Sequence, residues 1–147
     1  MLTNPRISGY LSRALGHELN AVQLYLTQAN LCEMWGMQER AECLRKDASE
    51  ELGHASLLIR RMLLLGLAPN GTQLPPVRPG RDAREMLLLD RELEGEAVRL
   101  YIEAEAYCRR FRDDDTADLF GRLLVEEQEH YDHLQRLLEA QRTESAR

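Results

Sequence analysis

Two short motifs in this 147-residue chain are candidates for chemistry: Glu51 with His54, and Glu127 with His130, each a Glu-x-x-His pair. Residues three apart on a helix share a face, so each pair presents a carboxylate beside an imidazole. One such pair is weak; two form a matched set. Two further glutamates, Glu18 and Glu94, stand in the middle of apolar stripes with helical spacing. Burying an uncompensated carboxylate is costly, and several at one level would also repel one another. Two divalent cations remove both problems, because their charge balances that of the four carboxylates. Glu18, Glu51, His54, Glu94, Glu127 and His130 are therefore the candidate metal ligands and, with a redox metal, the catalytic centre. Oxygen and imidazole donors without thiolate suit iron, manganese or zinc, and donor type alone does not choose among them, since zinc outranks iron in intrinsic affinity. The competing reading is a metal-free buried polar network.

The elements that must position these residues are four segments of helical periodicity, roughly 4–35, 39–66, 82–110 and 114–142. Their core stripes are Leu11, Ala14, Leu15, Glu18, Val22, Tyr25 and Ala29; Leu44, Ala48, Glu51, Ala55, Leu58, Met62 and Leu65; Leu87, Asp90, Glu94, Ala97, Tyr101, Ala104 and Cys108; and Phe120, Leu123, Glu127, His130, Leu134 and Leu137. Short links near Gly36 and Asp113 make each consecutive pair an antiparallel hairpin. Residues 67–81 hold Pro69, Gly71, Pro75, Pro76, Pro79 and Gly80, which cannot continue a helix. Those 15 residues reach ~50 Å when extended, against ~42 Å for a helix of about 28 residues, so they can cross the whole bundle. The expectation is all-α: residues 1–147 as one four-helix domain, two hairpins joined by a long crossover.

A shift of 76 residues maps Glu18, Ala21, Val22, Leu24, Tyr25 and Cys32 onto Glu94, Ala97, Val98, Leu100, Tyr101 and Cys108, and maps Glu50, Glu51, His54 and Leu58 onto Glu126, Glu127, His130 and Leu134. The hairpins should be related by a pseudo-two-fold axis, which would produce two matching metal positions. Tyr25 and Tyr101 should lie near the level of Glu51 and Glu127, with Tyr25 in particular placed to hydrogen-bond those ligands from outside. His17 and His133 lie beside the stripes and read as surface residues. Cys32, Cys43 and Cys108 are odd in number and form no CxxC, which argues against a disulfide framework or a thiolate site.

The net charge of −6, with no basic run, gives no source of attraction to nucleic acid or anionic membrane. No apolar segment suits export or insertion, so a cytoplasmic location is expected.

The runs GHELNAVQLYL around Glu18, EELGHA around Glu51, DRELEGEA around Glu94 and EEQEHYDHL around Glu127 resemble bacterioferritin, as do Trp35 with Gly36 and the Leu-Gly-Leu at 65–67. The resemblance covers nearly the whole chain. It implies a ferritin-like bundle with a ferroxidase site holding two iron ions, Glu51 and Glu127 bridging them and each remaining glutamate and histidine terminal. It also implies that Fe(II) is oxidised by O2 or H2O2 and stored as mineral inside a homo-oligomeric cage. A ferredoxin-type reductant would serve iron release.

Three positions depart from that pattern. Leu52 stands where the family places its haem-ligating methionine, so no haem is expected by that mode. The final residues, Gln141–Arg147, are polar where the family adds a short fifth helix. Lys46 replaces an imidazole associated with iron passing to the cavity, with Asp47 and Glu50 as substitutes. The alternatives are a di-iron peroxidase or di-manganese catalase on the same bundle, or a structural subunit of a mixed ferritin assembly. A DNA-protecting mini-ferritin fits less well, since that kind builds its site between subunits.

Overall fold

The computed structural model describes residues 3–70 and 74–145. Met1 and Leu2, Gly71 of the expected crossover, and Ala146 and Arg147 of the polar terminus lie outside them. The described residues form four helices: α1 (Pro5–Met34), α2 (Gln38–Leu64), α3 (Ala83–Arg110) and α4 (Asp114–Ser145). No described residue lies in a strand.

Local chemistry sets the boundaries. The Asn4 side chain accepts the Arg6 N–H with Pro5 at the first helical position, and Asp82 accepts the Glu85 N–H. Asp113 takes the same part for α4, accepting from the Thr116 N–H at 3.2 Å. Both hairpin links close alike: the Met37 N–H reaches Cys32 O at 2.8 Å and the Asp113 N–H reaches Cys108 O at 2.9 Å. Each closure needs one residue in left-handed backbone, which is Gly36 (φ 79°) in the first link and Arg112 (φ 61°) in the second. These positions are equivalent under the 76-residue repeat, so the internal symmetry extends to the turns. Gly66 (φ 75°) ends α2 in the same way.

Polar contacts between helices show the topology. Along α1, Asn4 meets Tyr107, Tyr10 meets Glu103 and Gln28 meets Pro79; along α2, Asp47 meets His130 and Arg61 meets Thr116 and Asp113. Partner numbers fall as residue numbers rise, so α1/α3 and α2/α4 are antiparallel neighbours, as are the two hairpins' own arms. Thr3 at the start of α1 contacts Leu65 at the end of α2, while Cys32 near the end of α1 meets Met86 near the start of α3. The segment between α2 and α3 therefore travels the length of the bundle, as expected for the crossover.

The core is divided at the level of the four glutamates. One cluster holds Leu11, Leu15, Leu58, Met62, Tyr101 and Phe120, and another holds Tyr25, Cys32, Leu44, Ala48, Met86 and Leu93. Glu18, Glu51 and Glu94 lie between them in sequence on α1, α2 and α3, Glu127 lies between Leu123 of the first cluster and Leu134 of a third on α4, and all four glutamates are buried. Besides His130, three stripe positions are only half-buried: Val22, Leu65 and Leu137. Ala21 and Leu138 are buried instead of their neighbours, since a 3.6-residue period lets the inward face drift by one position, and Leu65 lies past the last turn of α2. α4 runs three residues beyond the expected 142, because Thr143, Glu144 and Ser145 are compatible with helix and contain no Gly or Pro stop. Among the described residues, no helix is long and apolar enough to cross a membrane.

Candidate metal centre

The mid-bundle glutamates and the two histidines converge into two groups of potential ligand atoms, each group lying within 4.8 Å: Glu18, Glu51, His54 and Glu127, and Glu51, Glu94, Glu127 and His130. Glu51 and Glu127 belong to both. One glutamate and one histidine belong to each group alone, Glu18 with His54 and Glu94 with His130. Two adjacent cation positions sharing a pair of carboxylates is the arrangement this produces, and the donor set of oxygen and imidazole fits a di-metal site.

Both histidines turn Nδ1 inward. His54 Nδ1 lies 2.8 Å from Glu127 Oε1 and 3.5 Å from both Glu18 Oε2 and Glu51 Oε2. His130 Nδ1 lies 3.3 Å from Glu94 Oε1 and 3.8 Å from Glu51 Oε1. The outer nitrogens meet carboxylates as well: His54 Nε2 is 3.0 Å from Glu126 Oε2, and His130 Nε2 is 3.4 Å from Asp47 Oδ2. A carboxylate on the outer nitrogen fixes ring orientation and leaves the inner nitrogen to bind metal. Glu126 and Asp47 in this role are not evident from the motifs. The repeat pairs Glu126 with Glu50, whereas the residue opposite His130 is Asp47, so only antiparallel packing of α2 on α4 identifies them.

Satisfaction of the polar atoms tests the fit to metal. Glu18 Oε2, Glu94 Oε2, both Glu127 oxygens and His54 Nδ1 are buried and lack a hydrogen-bond partner. Although His54 Nδ1 and Glu127 Oε1 are close enough for an ion pair, they do not meet at hydrogen-bond geometry. Buried unpaired acceptors are costly and rare, and here they gather at the positions where cations would bind.

The electrostatics agree. Burial pushes the Glu51 carboxyl up, reinforced by the adjacent Glu18 carboxylate, to about 10. Glu18 itself is lowered: burial opposes its charge, but the adjacent Glu51 carboxyl and His54 imidazole outweigh it. The two carboxyls thus hold one proton between them. For His54, burial disfavours the cation, but Glu18 and Glu51 overcome it and raise the group to about 10; for His130, burial likewise disfavours the cation, but Asp47 and Glu94 overcome it and raise the group to about 10. Without metal, protons take the place of the missing positive charge. Asp90, buried beside this site, is raised to about 7 chiefly by desolvation, against Gln28 and Arg40.

Tyr25 and Tyr101 are fully buried, but they do not address Glu51 and Glu127 as the helix heights suggest. The Tyr25 hydroxyl donates to Glu94 Oε1 and the Tyr101 hydroxyl donates to Glu18 Oε1. The reason is the antiparallel contact of α1 with α3. Each tyrosine follows its own helix's glutamate by seven residues, which places it level with the glutamate of the opposite helix. His133 is exposed as expected. His17 is half-buried with its Nε2 unpartnered, on a cavity beneath Leu74 and Pro75 of the crossover that contains none of the six ligand candidates.

Of the helix pairs that touch, α2 and α4 are the most loosely packed. There a cleft of about 500 Å³ leads in past Lys46, Asp47, Glu50, Glu126, Glu129 and His133 to Glu51, His54, Glu127 and His130. Leu52, next to Glu51, faces away from the centre and is 56% exposed. The cysteines are unpaired, Cys32 and Cys108 buried and Cys43 exposed.

Comparison with known proteins agrees with this geometry. Residues 9–143 match the ferritin-like domain family named Ferritin. The chain is 36% identical over 135 residues to a bacterioferritin of Rhodobacter capsulatus, covering 92% of this chain and 84% of that protein. It is 32% identical over 139 residues to a bacterioferritin of Mycobacterium avium, covering 95% and 87%. A solved structure of Rhodobacter capsulatus bacterioferritin, with a metal-free dinuclear site and a haem iron, superposes with a TM-score of 0.91 at 34% identity, covering 95% of this chain and 88% of that one.

Proposed function

The chain belongs to the bacterioferritin family of ferritin-like proteins, and from that premise we propose that residues 1–147 form a single-domain ferroxidase and iron-storage subunit. Glu18 with His54 would hold one iron ion, Glu94 with His130 the other, and Glu51 and Glu127 would bridge them. The observation that carries this reading is the membership of Glu51 and Glu127 in both ligand groups. Bound together, two Fe(II) ions supply two electrons, enough to convert O2 to H2O2, or H2O2 to water, with uptake of two protons. The protein's own part is positional. It keeps four carboxylates and two imidazoles in a dry core, orients the rings through Glu126 and Asp47, and admits small cations through the acidic cleft between α2 and α4.

Iron is preferred to manganese or zinc because the bacterioferritin relatives share this chain's ligand-bearing framework over most of its length. A homo-oligomeric cage is the assembly the family relationship favours, and a solution mass of one or two chains would count against it. Leu52 offers no sulfur, so haem is not part of the proposal. Release of stored iron would draw on a ferredoxin-type reductant. A cytoplasmic place with no nucleic-acid or membrane partner accords with the net charge of −6 and the lack of a membrane-spanning helix among the described residues.

The test is to load metal-free protein anaerobically with Fe(II), admit O2, and record the fast oxidation phase against iron added per chain. A break near two irons supports the binuclear site. No fast phase would favour the peroxidase or manganese readings, and unchanged oxidation in Glu94→Ala would favour a structural subunit.

A further inference from the structure

The paired tyrosines raise a question the ligand set does not answer: how each terminal glutamate binds. Tyr101 is wholly buried, its ring stacked near Phe120 at 5.7 Å between centroids, and its hydroxyl is committed to Glu18 Oε1. Tyr25 is equally buried and committed to Glu94 Oε1. The other oxygen of each of those glutamates, Oε2, is buried with no hydrogen-bond partner. Each carboxylate thus has one oxygen occupied by a phenol and one without a hydrogen-bond partner; the oxygen nearest the neighbouring imidazole is Oε2 in Glu18, 3.5 Å from His54 Nδ1, and Oε1 in Glu94, 3.3 Å from His130 Nδ1. The bridging glutamates receive no tyrosine among the described residues. Glu127 has both oxygens unpartnered, as a bridge to two cations requires.

Resting on the two-metal reading above, we propose that Tyr101 and Tyr25 are a matched pair of positioning residues that make Glu18 and Glu94 each bind metal through a single oxygen. The hydroxyl draws on the electron density of Oε1 and holds the carboxylate plane, so the second oxygen does not swing in. Each cation then has four protein donors: one imidazole nitrogen, one terminal oxygen and one oxygen from each bridge. Four donors would leave coordination places free at each metal. A terminal glutamate binding through both oxygens would fill one of those places.

Cobalt(II) titration of metal-free protein reads this without any turnover, since four-coordinate Co(II) absorbs visible light more strongly than five- or six-coordinate Co(II). Wild type should take up two Co(II) per chain; fewer would sink the two-metal reading itself, and this proposal with it. Tyr101→Phe keeps the ring and removes only the donor. It should still bind two Co(II), with one position weakened ~10- to 100-fold, as for loss of an outer partner of a ligand, and with weaker visible absorption as Glu18 becomes a two-oxygen ligand. Tyr25→Phe should do the same through Glu94, and it decides the matter alone if Tyr101→Phe does not fold. Titrations and spectra of the variants superimposable on wild type would overturn the proposal and leave the two-metal reading standing.

Discussion

Metal binding should expel about three protons per chain. In the metal-free protein the Glu18–Glu51 pair holds one proton, with Glu51 raised to about 10, and His54 and His130, each raised to about 10, hold one apiece. All three occupy atoms that the cations need, so at pH 7.5 filling both positions must displace one from each place. Asp90, at about 7, adds a fraction of a further proton as the nearby cations favour its charged form. By linkage, the combined affinity for the two ions should rise about a thousandfold per pH unit while all three groups remain protonated. The assay is calorimetric titration of metal-free protein with Zn(II), which has no redox chemistry, in two buffers with different heats of protonation. The dependence of observed heat on buffer gives the proton count directly. Release of one proton or none would refute the reasoning, because it would mean that the imidazoles are neutral before metal arrives and that the buried carboxylates are stabilised in some other way.

The same shifts fix how stability of the metal-free protein depends on pH. His54 and His130 rise from an ordinary 6.5, and Glu51 from 4.5, so the folded chain keeps protons that the unfolded chain releases. Their contribution is fully present below the unfolded values and is lost as pH rises toward about 10. The Tm of the metal-free protein should therefore fall between pH 6.5 and 9 while the metal-loaded protein changes little; a metal-free Tm that climbs over this range contradicts the assignment. Arg112→Gly should stabilise the chain by about 1 kcal/mol in denaturant unfolding, since Arg112 is held in a left-handed backbone that its counterpart Gly36 adopts freely. A destabilised variant would show that the Arg112 side chain contributes more than its backbone costs. Purified protein should show no stoichiometric haem with methionine ligation, because Leu52 has no donor atom; a haem absorption band at one group per pair of chains, with the spectrum of two sulfur ligands, would disprove this.

Much of the site is legible in the order of residues alone because burying charge is expensive. Four glutamates on the inward faces of four apolar stripes, two followed three residues later by histidine, have few inexpensive explanations, and Glu18, Glu51, His54, Glu94, Glu127 and His130 do come together. The helices and crossover are legible for a different local reason: Gly36 and the Pro- and Gly-rich crossover punctuate the chain, the link at Asp113 has neither residue and shows as a break in periodicity, and helical periodicity fills the space between. Where residue spacing misleads, the missing information is not local. Height along their own helices points Tyr25 and Tyr101 to Glu51 and Glu127, yet they serve Glu94 and Glu18, because their partners are set by which helices touch and in which direction. Glu126 and Asp47 behind the histidines are likewise products of α2 lying antiparallel against α4. The cleft into the centre lies between those two helices, the most loosely packed of the neighbouring pairs, a property of all four helices packed together. Residue type and spacing determine which groups must share the core and why they need cations. Only the packed bundle decides which atom of each group faces which neighbour, because hydrogen bonds and ligation depend on direction over a few ångströms while helical periodicity specifies no more than a face.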